Sequence, residues 1–321
     1  MRIVVTGATG FLGGVAARRL AEAGHVVTGL GRDPERGAAL SASGIRFVAA
    51  DLTTPAQWEP LLDHTDAVLH AAALSSLWGR WDEFVAQNVT ASDRVARACA
   101  ARGLRLVHVS TPSVYNATGL QTQVPESTPV GPRFDSRYAR SKFMAEQAVQ
   151  LAHPEATILR PRGIYGSGDR SLLPRLVRAL RSGRLPRLTR HEVHSELTHV
   201  DNAAHAALLA LESPAPAAGL YNVSDGVSVP IWALLDRLAD QLGVARPGPY
   251  IPAPLVEGAA VVLEGLARLH PAQPEPMLTA SGVRLLTRPM TLDLARARRR
   301  LSYRPLVRPE DGLDAVLRAL P

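Results

Sequence analysis

At 321 residues the chain is long enough for one large or two smaller domains with a buried core, and 46% hydrophobic against 20% charged residues is the balance of an ordinary soluble protein. A net charge of +7 raises nucleic acid as a partner, but the arginines are interspersed with carboxylates, and the one run, Arg296-Ala297-Arg298-Arg299-Arg300, reads as a solvated helix face, so nucleic acid is set aside. The single cysteine, Cys99, rules out an intrachain disulfide and fits a reducing cytoplasm, while the start of the chain leaves no room for a signal peptide and the most apolar later stretch, 255–269, is too short and too charged to span a bilayer.

Ile3-Val4-Val5 is a continuous apolar run of the kind a buried parallel strand shows. Thr6-Gly7-Ala8-Thr9-Gly10-Phe11-Leu12-Gly13 follows at once, ahead of a helical pattern over 15–23 closed by Gly24. Strand, glycine turn and helix together predict a dinucleotide site. Gly7, Gly10 and Gly13 let the backbone turn sharply and bring a helix N-terminus up to a pyrophosphate, with Thr9, Phe11 and Leu12 expected beside it. The pattern then repeats as strand 26–30, helix 34–40, strand 46–49, helix 55–62, strand 67–70, a long helix over about 81–101, strand 106–109, helix 136–152 and strand 157–159. This alternation predicts an α/β fold, a doubly wound parallel sheet with helices on both faces.

Regularity weakens after Pro161. Helices are expected over 171–181, 202–211, 231–242, 255–269, 293–301 and 309–320, with a strand at 220–223. The expected organisation is a nucleotide-binding domain over 1–160, with parts of 197–243 returning to it, and a smaller, mostly helical substrate lobe over 161–321.

Tyr138 and Lys142 stand four residues apart on a predicted helix, so phenol and ammonium share a face. Lys142 is the only lysine; the other 35 basic side chains of the Lys+Arg total of 36 are arginine, so this position requires the ammonium itself. A fixed positive charge is expected to lower the phenol pKa and make Tyr138 a proton donor and acceptor near neutral pH; the alternative is an accidental surface pair. At the end of the second strand Gly31 offers no carboxylate and Arg32 offers a guanidinium, which favours NADP over NAD, although Asp33 follows and keeps NAD possible. Asp51 and Leu52 are placed at the adenine edge, with an ordinary turn as the alternative. Ala71, Ala72 and Ala73 would let a flat cofactor lie against the backbone, though packing also explains alanines. Asn88, a polar amide in the long helix, either faces solvent or holds the active-site helices or a water. The fifth strand runs out into hydroxyls, of which Thr111 is chosen to bond the substrate oxygen, with Ser110 and Ser113 as rivals.

With Thr-Gly-x-x-Gly-x-x-Gly at 6–13, Tyr-x-x-x-Lys at 138–142 and Ser-Thr-Pro-Ser-Val-Tyr at 110–115, the chain resembles an extended short-chain dehydrogenase/reductase over its full length, with a Rossmann domain. Through 70–79, 160–166 with Gly168-Asp169, and 275–279 it is more similar to the 3β-hydroxysteroid dehydrogenase-like branch, especially the bacterial 2-alkyl-3-oxoalkanoate reductases of olefin and β-lactone pathways. The resemblance implies Thr111, Tyr138 and Lys142 as the catalytic set, Tyr138, Lys142, Pro161, Gly163 and Ile164 at the cofactor, and Ser75, Trp78, Tyr115 and Arg162 toward substrate, with no metal and a homodimeric assembly. It departs from the commoner pattern in carrying Thr rather than Ser at 111; either hydroxyl can donate and accept.

Three function classes follow. The leading one is an NADPH-dependent ketone reductase acting on a lipid-like small molecule, a 2-alkyl-3-oxoalkanoate, with 3β-hydroxysteroid oxidation as its nearest rival. The second is an NAD-dependent sugar-nucleotide epimerase or dehydratase, and the third a non-catalytic NADP-binding regulator. In the lobe, Val256, Ala260, Leu263 and Leu266 would line an apolar tunnel or simply pack; Trp78 and Trp81, after the fourth strand, would add apolar wall at the cofactor end, and Arg162 and Arg175 are the candidate cations for a carboxylate.

Overall fold

In the computed structural model, which describes residues 1–119, 121–215 and 217–319, strand and helix alternate from the first residues. The order is β1 (Arg2–Thr6), α1 (Phe11–Glu22), β2 (Val26–Gly31), α2 (Pro34–Ala42), β3 (Arg46–Ala49), β4 (Ala67–His70), α3 (Trp81–Phe84), α4 (Ala91–Ala101), β5 (Arg105–Val109), α5 (Arg137–Ala152) and β6 (Thr157–Pro161). After it come β7 (Ile164–Tyr165), α6 (Leu172–Arg181), β8 (His194–Glu196), β9 (Thr198–His199), α7 (Val200–Glu212), β10 (Gly219–Val223), β11 (Ser228–Pro230), α8 (Ile231–Leu242), α9 (Ala253–Leu269), α10 (Ala280–Thr287), α11 (Ala295–Arg300) and α12 (Pro309–Arg318).

Seven strands form one sheet in the order β10-β6-β5-β4-β1-β2-β3, and every neighbouring pair is parallel. The doubly wound sheet expected from the alternating apolar runs is the fold found. Chain direction reverses across the sheet between β1 and β4, and a crevice at such a switch point, beyond the carboxyl ends, is where ligands bind. One face is covered by α1 and α7, where Ala16, Ala17 and Leu20 meet Ala204, Ala207 and Leu211. The other is covered by α4 and α5, through Val95, Cys99 and Val149. A separate apolar core joins Leu173, Trp232, Leu235, Val283 and Val316, from α6, α8, α10 and α12.

Three local differences from the sequence reading have physical causes. The helix expected over 55–62 is instead two 3-10 turns, Pro55–Gln57 and Glu59–His64, because Pro55 and Pro60 open each turn and Trp58 between them leaves helical geometry at φ −133°. The long helix over 81–101 contains a π turn at Val85–Thr90, between α3 and α4. α10 and the strands β7, β8, β9 and β11 are too short to impose a readable period. The final helix is described as Pro309–Arg318; Leu320, the expected last residue, lies outside the described residues.

Candidate active site

The glycine turn is built for contact too close for side chains. Gly7 has φ +69°, and a Cβ there would lie 2.7 Å from Ala72 N, so Ala71 and Ala72 form the opposite wall at the end of β4. A Cβ at Gly13 would collide with the Gly7 carbonyl. Gly10 opens α1 with no side-chain cap, which leaves the first N–H groups of the helix for an anion. A narrow cradle with uncapped donors fits the pyrophosphate of a dinucleotide.

At the end of β2, a Cβ at Gly31 would collide with the Thr9 side chain. Arg32 is exposed and has no ion pair among the described residues. Asp33 is occupied: it caps α2 by accepting from Arg36 N at 3.1 Å and pairs with the Arg36 guanidinium at 3.1 Å. Across the turn, the Asp51 carboxylate accepts from the N–H and hydroxyl of Thr53, both at 2.8 Å; these bonds, and then Arg32, hold its pKa below the usual range. The Leu52 carbonyl accepts from Trp58 Nε1 at 3.3 Å.

Thr111 closes β5 by capping the 3-10 turn Pro112–Tyr115, accepting from Ser113 N and donating to Ser113 Oγ at 3.1 Å. Ser110 Oγ is buried without a partner among the described residues. α5 begins where Ser136 accepts from Ala139 N at 3.1 Å, which sets Tyr138 in the first turn and Lys142 one turn further. Burial pushes the Tyr138 phenol up, and hydrogen bonding with Thr111 and Ser75 pulls it back. The expected lowering by Lys142 is not what the geometry provides, because its Nζ is held elsewhere, donating to Val109 O at 2.7 Å and lying 3.4 Å from His108 Nε2. Burial draws Lys142 down to about 8, opposed by Glu146.

Two histidines that sequence reasoning passed over complete this floor. His70 and His108 face each other in register on β4 and β5, with ring centroids 5.1 Å apart. His70 lies between Thr6 Oγ1 at 2.7 Å and Ser92 Oγ at 2.9 Å. Burial, then Lys142, lowers its pKa to about 3, and His108 is lowered by the same causes, so both rings are neutral and Lys142 is the cation of the cluster. Asn88 stands in the π turn, fully buried; its Oδ1 accepts from Leu74 N at 2.7 Å and its Nδ2 donates to Ser141 Oγ at 2.9 Å. Ser141 donates in turn to the Tyr138 carbonyl at 2.8 Å. Of its two readings, Asn88 therefore takes the one in which it holds the helices, and π turns are frequent at such sites.

Residues 3–224 match the NAD dependent epimerase/dehydratase family. The chain belongs to this family. It is 36% identical to the 2-alkyl-3-oxoalkanoate reductase of Stenotrophomonas maltophilia, over 98% of this chain and 97% of that protein. It is 30% identical to a 3beta-hydroxysteroid-dehydrogenase/decarboxylase of Arabidopsis thaliana, over 88% of this chain and 68% of the relative. The structure of UDP-glucuronic acid 4-epimerase from Bacillus cereus in complex with NAD superposes with a TM-score of 0.76 over 98% of this chain and 97% of that one; at 22% identity it speaks to the fold alone. This member of the extended short-chain dehydrogenase/reductases is an NAD(P)-dependent oxidoreductase, and among its described residues no helix is long and apolar enough to cross a membrane.

Within this epimerase/dehydratase-family frame the remaining expected residues separate. Ser75 follows β4 on the loop that Asn88 holds at Leu74, and Trp78 on the same loop donates to Gln273 O at 2.8 Å, tying the loop to the segment after α9. Arg175 touches that loop at Ser76 Oγ, 3.5 Å, while pairing with Glu275 at 3.3 Å. Pro161 ends β6, and Gly163, at φ +45° against Leu197, turns the chain into Ile164 and β7. Tyr115 and Arg162 are not presented to a substrate. Tyr115 is fully buried, donates to Asn222 Oδ1 at 3.1 Å and is bonded by Arg160, which also pairs with Glu146 of α5. Arg162 is buried beside Ser195 at 3.3 Å, and burial draws its pKa to about 10, opposed by Glu196. On α9, Ala260 is buried and Val256 packs into the lobe core, but Leu263 and Leu266 are exposed and line no tunnel. The helix packs by a narrow face.

Proposed function

We propose that this protein is an NADPH-dependent ketone reductase whose substrate is a long-chain 2-alkyl-3-oxoalkanoate. The observation that carries the reading is Tyr138 in the first turn of α5 with buried Lys142 one turn on, bonded to Val109 O two residues before Thr111, in a chain that matches a reductase of that name over nearly its whole length. The bound dinucleotide supplies the hydride. Tyr138 donates the proton that turns the carbonyl oxygen into a hydroxyl; a phenol pushed up by burial is fully protonated at neutral pH and suited to that direction. Thr111, fixed by Ser113, positions the oxygen, and Lys142 holds the ribose. Gly7, Thr9, Gly10, Phe11, Leu12 and Gly13 hold the pyrophosphate, and Arg32 takes the 2′-phosphate, with Asp33 withdrawn into its cap. Asp51 and Leu52 meet the adenine, and Ala71 to Ala73 with Pro161, Gly163 and Ile164 flank the rest of the cofactor. Residues 1–160, with α7 and β10, form the nucleotide domain, and the remainder of 161–321 supplies the substrate lobe. The same reading includes a homodimer in a reducing cytoplasm, where Cys99 stays a free thiol.

The test is a side-by-side assay: NADPH consumption with a racemic 2-alkyl-3-oxo acid, NADP reduction with a 3β-hydroxysteroid, and epimerisation of a UDP-sugar. Turnover confined to the nucleotide sugar overturns the reading. Sterol turnover alone keeps the chemistry and changes the substrate, an outcome the Arabidopsis relative makes worth the extra arm.

A further inference from the structure

α9 is turned inside out. A helix on the surface of a globular protein normally buries its apolar stripe and exposes its charges. Here the carboxylates face inward: Glu257 pairs with Arg284 at 2.7 Å, and Glu264 accepts from Ala280 N at 2.8 Å. Of the residues α9 exposes, Arg268 is the single one with a polar side chain. Leu255, Val261, Val262, Leu263, Leu266 and Leu269 are each between 43% and 83% exposed, on a helix of 17 residues. Soluble monomers rarely present an unbroken aliphatic strip of this length, roughly 25 Å at the helical rise.

Both ends of the strip carry arginine stacked on an aromatic ring. Before the helix, Arg190 lies 4.7 Å over the Tyr250 ring, and Tyr250 and Ile251 are themselves exposed. In its last turn Arg268, paired with Glu264 at 3.4 Å, lies 5.3 Å from the Trp78 ring and close enough to Arg137 to depress that guanidinium's pKa after burial has done so; Arg140 lies 4.7 Å over Trp81, and among the described residues Arg137, Arg140 and Arg190 have no ion pair. Aliphatic residues flanked by aromatic rings and guanidinium groups are the side-chain set of a helix lying in a bilayer interface. Charge also discriminates between occupants. A second copy docked by the same face, in either helix direction, brings arginine ends against arginine ends, and the two half-buried carboxylates of α9 are already paired, Glu257 with Arg284 and Glu264 with Arg268. An anionic lipid surface supplies both the apolar layer and the opposite charge.

The geometry points to α9 as an in-plane docking face for an anionic lipid bilayer. Trp78 ties this end of the helix to the loop after β4, which Asn88 holds beside α5, so a docked protein holds the mouth of the catalytic crevice at the lipid surface. Docking is independent of which ketone is reduced.

The experiment is vesicle co-sedimentation of the full chain, with equimolar phosphatidylglycerol and phosphatidylcholine or with phosphatidylcholine alone, at low and high salt. The comparison variant is the triple substitution Leu255→Gln, Val262→Gln, Leu269→Gln. These side chains are exposed, so its thermal midpoint should match wild type and report intact folding. The expected result is binding to the anionic vesicles that weakens with salt and falls about tenfold or more in the variant, as the loss of three buried aliphatic side chains requires. Absence of wild-type binding overturns the proposal, as does equal binding by the variant or salt-independent binding to both lipids. A concentration-dependent dimer seen by sedimentation velocity and abolished by the triple substitution overturns it in favour of a second copy.

Discussion

Asn88→Ala is expected to damage catalysis without touching any reacting atom. The side chain is fully buried and joins the loop at Leu74 to Ser141 on α5, through bonds of 2.7 Å and 2.9 Å. Removing it leaves the Leu74 N–H without its acceptor and Ser141 Oγ without its donor. A buried polar group left unpaired costs about 1–3 kcal/mol, so the two together destabilise this region by roughly 2–6 kcal/mol. Ser141 also bonds the Tyr138 carbonyl, so part of that loss falls on the placement of the phenol. If about 1.4 kcal/mol of it does, kcat drops roughly tenfold. KM for the dinucleotide should barely move, because the glycine turn is anchored by β1 and β4. The assay is kcat, KM and chemical denaturation for Asn88→Ala, Ser141→Ala and the double variant. Direct contact predicts a coupling energy above about 0.5 kcal/mol in the cycle. Strictly additive losses, or a wild-type kcat in Asn88→Ala, would refute the idea that this amide positions Tyr138.

Lys142→Arg should inactivate the enzyme although charge is kept, since Nζ occupies a buried site beside Val109 O and His108 that a planar guanidinium cannot reproduce; single-turnover rates with folding checked by circular dichroism decide it. Tyr138→Phe should cost at least about a hundredfold in rate, and near-wild-type turnover would remove it as the proton donor. Arg32→Ala should weaken NADPH while sparing NADH, read as two dissociation constants; equal wild-type affinities would refute the assignment of Arg32 to the 2′-phosphate. Asp225, buried against Asn202, His199 and Tyr165, has its pKa raised by burial from 3.8 to about 6. The folded state therefore binds the extra proton in that window, and this group's contribution, about 3 kcal/mol, is present below pH 4 and lost as pH rises through 6. Asp225→Asn should gain stability relative to wild type across that window, and a constant difference between the two denaturation series would refute the assignment.

Much of this site was legible because parallel strands bury both faces. Ile3-Val4-Val5 and the glycine turn after it could be read as strand, cradle and helix from residue type alone, and α5 as the helix that carries Tyr138 and Lys142 likewise. What the chain order hides is lateral register. His70 and His108 each look like one polar residue at a strand end, and only the pairing of β4 with β5 makes them the neutral floor under Lys142. The family resemblance placed Tyr115 toward substrate, yet the 3-10 turn after Thr111 delivers it to Asn222 and Arg160. α9 misled for a different reason. Its apolar residues occupy nearly every position, so the period cannot tell which side is inward, and that was decided by Arg284 meeting Glu257.

A chain whose one lysine is buried on α5 has a surface on which acylating reagents aimed at lysine find no lysine side chain. Modification of Nζ must wait for an opening that lifts it away from Val109 O, so the labelling rate becomes a clock for breathing of α5. The α-amine of Met1 also reacts, so peptide-level mass spectrometry that separates it from Lys142 reads the clock, and slowing by added dinucleotide would measure how far the cofactor clamps α5 shut.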